Sequence, residues 1–493
     1  MKSAKRILDS VHGYIELPTL YMDKIVDSVY FQRLRRIEQT STRALFPSAR
    51  HDRFIHSLGV YHLGSKIIES LRKRQYMQER NALYGRSSFI NSYLLACLLH
   101  DVAHSPFSHT FEGYYEDNIV GLDTPLVTLV NNETFTADYK TYSSRTAPHE
   151  KMSAFVAYKV FKPLFQGKYE EYDDLNDYAD WELIIRMICG IYYTDKEEQY
   201  EVANCLIDLI HGDVIDADGL DYVCRDAWAA GYQTSNVDVD RLIDAIEICK
   251  DKEGHYKLAF TSKALNEIEA VLSVKNFQQY HVINHHTVTY EQHLLVEAVK
   301  AAAKHDFPQY VDTPAPIAQL CNLASYTEEV KSIRTDFSIK YPMDDDFIHL
   351  MKSHMDEPYV KEWFSREYKL TPVWKSRAEF YDMFPGLRGC RLTSKHWIFS
   401  DRCKRFLEEK AGLNKNEIWL LKASPKYKGS FAEKVYIKVK DFPVKYVDLF
   451  PGDKNSFQPA QNDFYYLYVS KDADMERIKQ LLKMEIELYI VRE

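Results

Sequence analysis

The stretch Asn91–Glu112, NSYLLACLLHDVAHSPFSHTFE, begins as an apolar run and turns abruptly into imidazoles and carboxylates. The run reads as a buried helix whose last turns carry His100, Asp101 and His104. At helical spacing His100 and His104 share a face, with Asp101 about 100° round from His100. Ionisable groups at the buried end of a helix are costly unless something pairs them. Any one of these residues alone reads as a cap or a solvated side chain, but the set, together with His109, reads as a functional site, and as a metal site first.

On the N-terminal side, HDRFIHSLGVYHLGSKIIESL (His51–Leu71) sets Ile55, Leu58, Leu63, Ile67 and Leu71 on a helical stripe with His56 beside it. Before it, YMDKIVDSVYFQRLRRIEQ (Tyr21–Gln39) reads as one helix with Gln32, Arg33, Arg35 and Arg36 off the apolar stripe. Beyond Glu112, residues 114–147 show weak periodicity, and so long a segment in a helical domain reads as a lid or a small inserted hairpin. Pro148, His149 and Glu150 then open a helix in the manner of a first turn. Trp181–Ile191 and Val202–Ile210 are expected to be two more.

The second informative stretch is HGDVIDADGLDYVCRDAWAAGY, His211–Tyr232. On a helix Asp218 and Tyr222 share a face, and Asp226 continues it one turn on. The carboxylates do not follow the EF-hand spacing, so a calcium loop of that kind is excluded. Helical patterns continue through DVDRLIDAIEICK and on to His305, with His281, His285 and His286 read as lining a cleft or interface. After the turn-rich DTPAPI come short β-like runs, WIFS, EIWLLKAS, KVYIKV and FYYLYVS, and a last segment read as a helix running into a strand. The expected fold is mainly α: a helical core over residues 1–311 with an insertion at 114–147, then a C-terminal region, 312–493, helical and then α+β.

A net charge of −9, from 63 Lys and Arg against 72 Asp and Glu, argues against a wide nucleic-acid groove. The eight cysteines include no C-x-x-C pair, which argues against a zinc ribbon or a thioredoxin-type centre and fits buried thiols in a reducing compartment. With no signal-peptide pattern and no apolar run of membrane-spanning length, a cytoplasmic protein without a membrane partner is expected.

His56, the His100–Asp101 pair and Asp218 would together make a mixed nitrogen and oxygen ligand set. Such a set suits a divalent ion with open positions, whether Mn, Mg, Fe, Co, Ni or Zn. Water bound at an open position becomes acidic enough to attack phosphorus.

In their order along the chain, VHGYIEL, FQRLRRIEQ, LFPSARHDRF, RFIHSLGV, LLHDVAHSPFSHTFE and DADGLDYVCRD resemble the HD-domain deoxynucleoside triphosphate triphosphohydrolases, which include bacterial dGTPase-like proteins and the SAM-and-HD-domain dNTPases. The resemblance runs from about Lys5 to Lys300 and fades in the last third. It implies an HD-domain helical core in which His56, His100, Asp101 and Asp218 hold the metal. His104 and His109 match the imidazoles facing the α-phosphate, one contacting it and one protonating the departing 5′-oxygen, while His149, Glu150 and Glu112 orient them. Arg53 and Lys275 match phosphate contacts; Gln39, Tyr222 and Asp226 match residues around the sugar.

The implied reaction is attack of metal-bound water at the α-phosphorus of a dNTP, releasing a deoxynucleoside and inorganic triphosphate. Two positions depart from the pattern: Gly219 stands where family members carry Lys or Arg, and Lys275 where they carry Arg. Lys5, Asp27, Gln32 and Arg35 match an activating guanine-nucleotide site between subunits, which implies a homo-oligomer, whether dimer, tetramer or hexamer. The alternatives are an HD-type phosphodiesterase or nucleotidase acting on another nucleotide, which Gly219 favours and the sugar-pocket matches oppose, and a nucleotide-sensing scaffold.

Overall fold

The computed structural model describes residues 4–75, 83, 85–115, 123–170, 172–212, 215–232, 237–306, 341–390, 392–423, 434–451 and 463–492. The chain enters through an antiparallel hairpin, β1 (Ala4–Asp9) and β2 (Gly13–Pro18), in register from Ala4 opposite Pro18 to Asp9 opposite Gly13. Strand alternation buries Ile15 and Leu17 and turns Leu8 and Tyr14 to solvent.

The single helix expected over Tyr21–Gln39 is instead a string of short turns, Thr19–Tyr21, Met22–Val26, Val29–Gln32 and Arg33–Arg36. Ser28 breaks it: its backbone is extended (ψ 151°) and its Oγ accepts the N–H of Phe31, starting a new turn.

The core is built on α1 (Arg53–Gln75), which packs against α2 (Ser87–Leu99). α3 (Pro148–Val156) and α4 (Trp181–Cys189) lie against each other, and α4 also against α2. α5 (Glu198–Asp208) follows, and α6 (Ala217–Ala229) lies along α1. Gly59 permits that last approach, because a Cβ there would fall 1.9 Å from Asp221 Oδ1 and 2.5 Å from Arg225 Nη2.

α2 ends one residue before His100, so His100 and His104 do not share a helical face as expected. The N–H of Val102 bonds the carbonyl of Leu99 and that of His104 the carbonyl of Asp101, which turns the chain out of the helix. In the segment 114–147, residues 116–122 lie outside the described residues. The rest is two helices, Asp123–Val130 and Glu133–Tyr142, the second capped by Asn132, rather than a hairpin of strands.

DVDRLIDAIEICK also departs from expectation. Its helix stops at Ile243, and Ile246–Lys250 forms β3, whose alternating Ile246 and Ile248 are buried against β4 (Tyr256–Thr261). α7 (Leu265–Phe277) and α8 (His286–Asp306) then complete the part of the chain before the expected border at residues 311 and 312, which itself lies outside the described residues.

After the border, α9 (Asp344–Lys352) and α10 (Pro358–Ser365) place Phe347, Leu350, Met351 and Val360 in the same core as α1 and α2. A second core gathers β5 (Leu370–Pro372), β6 (Ile418–Lys422) and β9 (Tyr465–Ser470), in the order β5-β9-β6, with α11 (Met475–Arg492) and Tyr290 and Leu294 of α8. β7 (Tyr436–Val439) and β8 (Phe442–Lys445) extend the other sheet, β3-β4-β7-β8, β7 lying parallel to β4.

WIFS is a 3-10 turn, Trp397–Phe399, and the last segment is helical throughout. The fold is mainly helical with small sheets, as expected. Among the described residues no helix is long and apolar enough to cross a membrane.

Candidate active site

His56 comes from the first turn of α1, His100 and Asp101 from the turn after α2, and Asp218 from the first turn of α6. The structure brings all four together. His56 Nε2 lies 3.0 Å from Asp218 Oδ1, 3.6 Å from Asp101 Oδ2 and 3.3 Å from His100 Nε2. His100 Nε2 is 3.4 Å from Asp101 Oδ2 and 3.7 Å from Asp218 Oδ1.

Both imidazoles are oriented from behind. His100 Nδ1 donates to the carbonyl of Cys97 at 3.0 Å, and His56 Nδ1 donates to Asp221 Oδ2 at 2.7 Å, so each turns Nε2 to the centre. Burial raises the cost of charge on Asp101, but the Arg53 guanidinium beside it holds its carboxyl well below the ordinary range. Burial also works against charge on His56, yet Asp218 and Asp221 push its pKa up to about 10. His56, His100 and Asp218 bring ligand atoms close enough together to hold a divalent ion, with Asp101 Oδ2 3.6 and 3.4 Å from the two imidazoles.

Asp221 escaped the sequence reading, as did the groups behind it. It is fully buried and accepts from His56, from His12 Nε2 (2.6 Å) and from Arg225 (2.8 and 2.9 Å). Arg225 in turn pairs with Asp9 at the end of β1. The signal was present as an i, i+4 Asp–Arg pair three residues after Asp218, but His12 and Asp9 lie far away in sequence.

A second cluster adjoins the first. His104 is fully buried, and its ring centroid lies 4.4 Å from that of His149 and 5.2 Å from that of His109. Glu112 joins the other two, accepting from His109 Nδ1 at 2.8 Å and from His149 Nδ1 at 2.7 Å. Glu150 caps its own helix through the N–H of Ala147 and sits 3.3 Å from His211.

The loop that carries His104 to His109 is pinned from several sides. Phe107 and Ser108 both adopt positive φ (53° and 51°), a strained conformation for side-chain-bearing residues. Arg33 donates to the carbonyl of His104, Asp344 accepts the N–H of Phe107, and Arg53 Nε donates to Ser108 Oγ.

Arg53, expected at the phosphates, is buried against Asp101, Ser108 and the carbonyl of Gln39. Gln39 is buried with its Oε1 unpartnered, and Asp226 accepts from His51 Nε2 at 2.7 Å. Lys275 Nζ lies 5.4 Å from the centre of the Tyr222 ring and reaches the surface of Gly219, where a Cβ would fall 2.6 Å from it. Lys5 is on β1, and Asp27, Gln32 and Arg35 are on the turns after β2, with Lys5 3.9 Å from Asp27 and Arg35 donating to Gln32.

Residues 53–171, which carry His56, the His100–Asp101 pair and the imidazole cluster, match the HD domain family. This segment is similar to HD domains. HD domains are metal-dependent, and His56, His100 and Asp218, with Asp101 beside them, form a group able to hold a divalent ion.

The chain is 30% identical to the deoxynucleoside triphosphate triphosphohydrolase SAMHD1 homolog of Dictyostelium discoideum, over 54% of this chain and 43% of that protein. To the deoxynucleoside triphosphate triphosphohydrolase SAMHD1 of Danio rerio it is 27% identical, over 60% of this chain and 45% of the other. It spans about half the length of the curated relatives it matches. The solved structure of a hypothetical protein from Aquifex aeolicus shares its fold, with a TM-score of 0.61 and 22% identity over 97% of this chain and 100% of the other.

Proposed function

We propose that this protein hydrolyses deoxynucleoside triphosphates to a deoxynucleoside and inorganic triphosphate. The observation that carries the reading is the adjacency of two clusters: a two-His, two-Asp set able to hold a divalent ion, and three imidazoles, His104, His109 and His149, gathered around Glu112. Bound at the first cluster, a divalent ion supplies Lewis-acid polarisation of the phosphoryl group and acidifies water.

The protein groups do the rest. His104 contacts the α-phosphate. His109, half-exposed at the cleft and held by Glu112, protonates the departing 5′-oxygen, a role suited to histidine near neutral pH. Lys275 supplies positive charge toward the triphosphate tail, and Arg53 steadies Asp101. Gln39, with its buried and unpartnered Oε1, and Asp226 take the 3′-hydroxyl, while Tyr222 crowds a 2′-hydroxyl. The names of the relatives support a dNTP as substrate.

Incubation with each dNTP and rNTP and Mn or Mg, followed by chromatography, tests this. Triphosphate release that is lost in Asp218→Ala is the expected result; release of inorganic phosphate would replace this reading with a nucleotidase, and release of a nucleoside monophosphate with a nucleotide pyrophosphohydrolase. We also propose that Lys5, Asp27, Gln32 and Arg35 take an activating nucleotide in a homo-oligomer. Gel filtration and turnover with and without GTP check it, and no change in either would count against it.

A further inference from the structure

We propose that His104, His109 and His149 form a second cation site, selective for a borderline transition ion such as zinc, whose occupancy switches the hydrolase off. One ring nitrogen of each lies within 4.8 Å of the other two, and no carboxylate oxygen belongs to the group.

The arrangement around the three rings is that of a ligand set. Glu112 takes Nδ1–H of both His109 and His149, the carboxylate support that commonly fixes a ligating imidazole and leaves its Nε2 facing inward. His104 donates through Nδ1 to the carbonyl of Ser105, and its Nε2, with no solvent exposure, has no partner. Buried polar atoms are normally satisfied, so this nitrogen points to an occupant that the protein alone does not supply.

The ligand chemistry separates the two sites. Two imidazoles and two carboxylates accept hard ions such as Mn or Mg as well as Zn, whereas three imidazoles disfavour the hard ions and select Zn, Co or Cu. A tetrahedral zinc site has nitrogens about 3.3 Å apart, so the rings must close slightly; His109, 47% exposed, is the least buried of the three. The switching half rests on the proposed function, because an ion there would occupy the nitrogens assigned to the α-phosphate and the leaving oxygen.

Cobalt titration of chelator-stripped full-length protein, read by visible absorption, tests the site without any substrate. In a His100→Ala, Asp218→Ala background, which disables the first site, one cobalt per chain with intense tetrahedral bands is expected. Adding His109→Gln, which removes a direct ligand, should weaken that binding by more than the roughly 10- to 100-fold that loss of an outer-shell partner costs, with the circular dichroism melt unchanged. A folded background variant that takes up no cobalt, or that binds it equally well after His109→Gln, would overturn the site. For the switch, zinc beyond one equivalent should suppress Mn-supported turnover, with recovery on mild chelation; undiminished turnover would overturn it. Cobalt uptake by a protein inactive on every nucleotide would count against the proposed function and leave the second site standing.

Discussion

Lys275 stands where the side chain of a longer residue at 219 would have to go. The ammonium reaches over from α7 and lies close above the first turn of α6, beside Asp216, so a cation from another helix occupies the space beside Gly219. Removing a charged hydrogen-bond donor to phosphate costs about 1.5–3 kcal/mol, so Lys275→Ala should raise KM for a dNTP by roughly 10- to 100-fold with a smaller effect on kcat. Gly219→Lys on that background should recover part of the loss, and an unchanged KM in the single variant would remove Lys275 from the phosphate site. Asp221 acts one layer back. Asp221→Asn keeps the shape but weakens the acceptor for His56 and should lower Mn affinity about 10- to 100-fold by titration calorimetry.

Among the elements, α6 does most to assemble the cleft. Asp216 caps it, accepting the N–H of Gly219, and its next turns deliver Asp218 to the metal ligands and Asp221 and Arg225 to the buried network. Arg225 bridges two buried carboxylates, Asp221 on its own helix and Asp9 on the hairpin. Arg225→Ala strands both, and loss of one partner of a buried pair costs about 3–5 kcal/mol, which a denaturant unfolding curve would register.

Long helices such as α1 and α2 were legible because many apolar positions agree on one period. Tyr21–Gln39 and Ala245–Lys250 were not. In the first, a single extended serine outweighs helical spacing; in the second, the pull of a strand partner, β4, decides. The metal-ligand candidates stood out because each sits in a short, chemically unusual motif. Asp221 looked like one more acid on a helix, since what buries it, His12, lies 209 positions away.

Across the whole molecule, the two cores meet at α8 and α10. Glu291 of α8 accepts from the Tyr368 hydroxyl, and Glu362 of α10 accepts from the Tyr290 hydroxyl and the N–H of Lys369. Burial pushes the Glu291 carboxyl up to about 7, with Arg366 opposing and Glu362 assisting. A carboxyl with a raised folded-state pKa contributes stability that is complete below about pH 4 and is lost as pH rises through about 7. Glu291→Gln keeps an acceptor for Tyr368 and cannot ionise. Its melting temperature should vary less between pH 4 and 8, with an advantage over the parent at pH 8 of up to about 3 kcal/mol. A parallel pH profile in the two proteins would contradict this.

α8 also contributes to both interiors along its own length: Tyr290 and Leu294 lie in the second core, while Leu295, Ala298, Val299, Ala302 and Ala303 lie in the first. Opening either interior exposes one stretch of α8 and strains its continuation into the other, so the two halves are expected to melt together. Differential scanning calorimetry should record one transition, with calorimetric and van't Hoff enthalpies in agreement, where halves melting separately would give two.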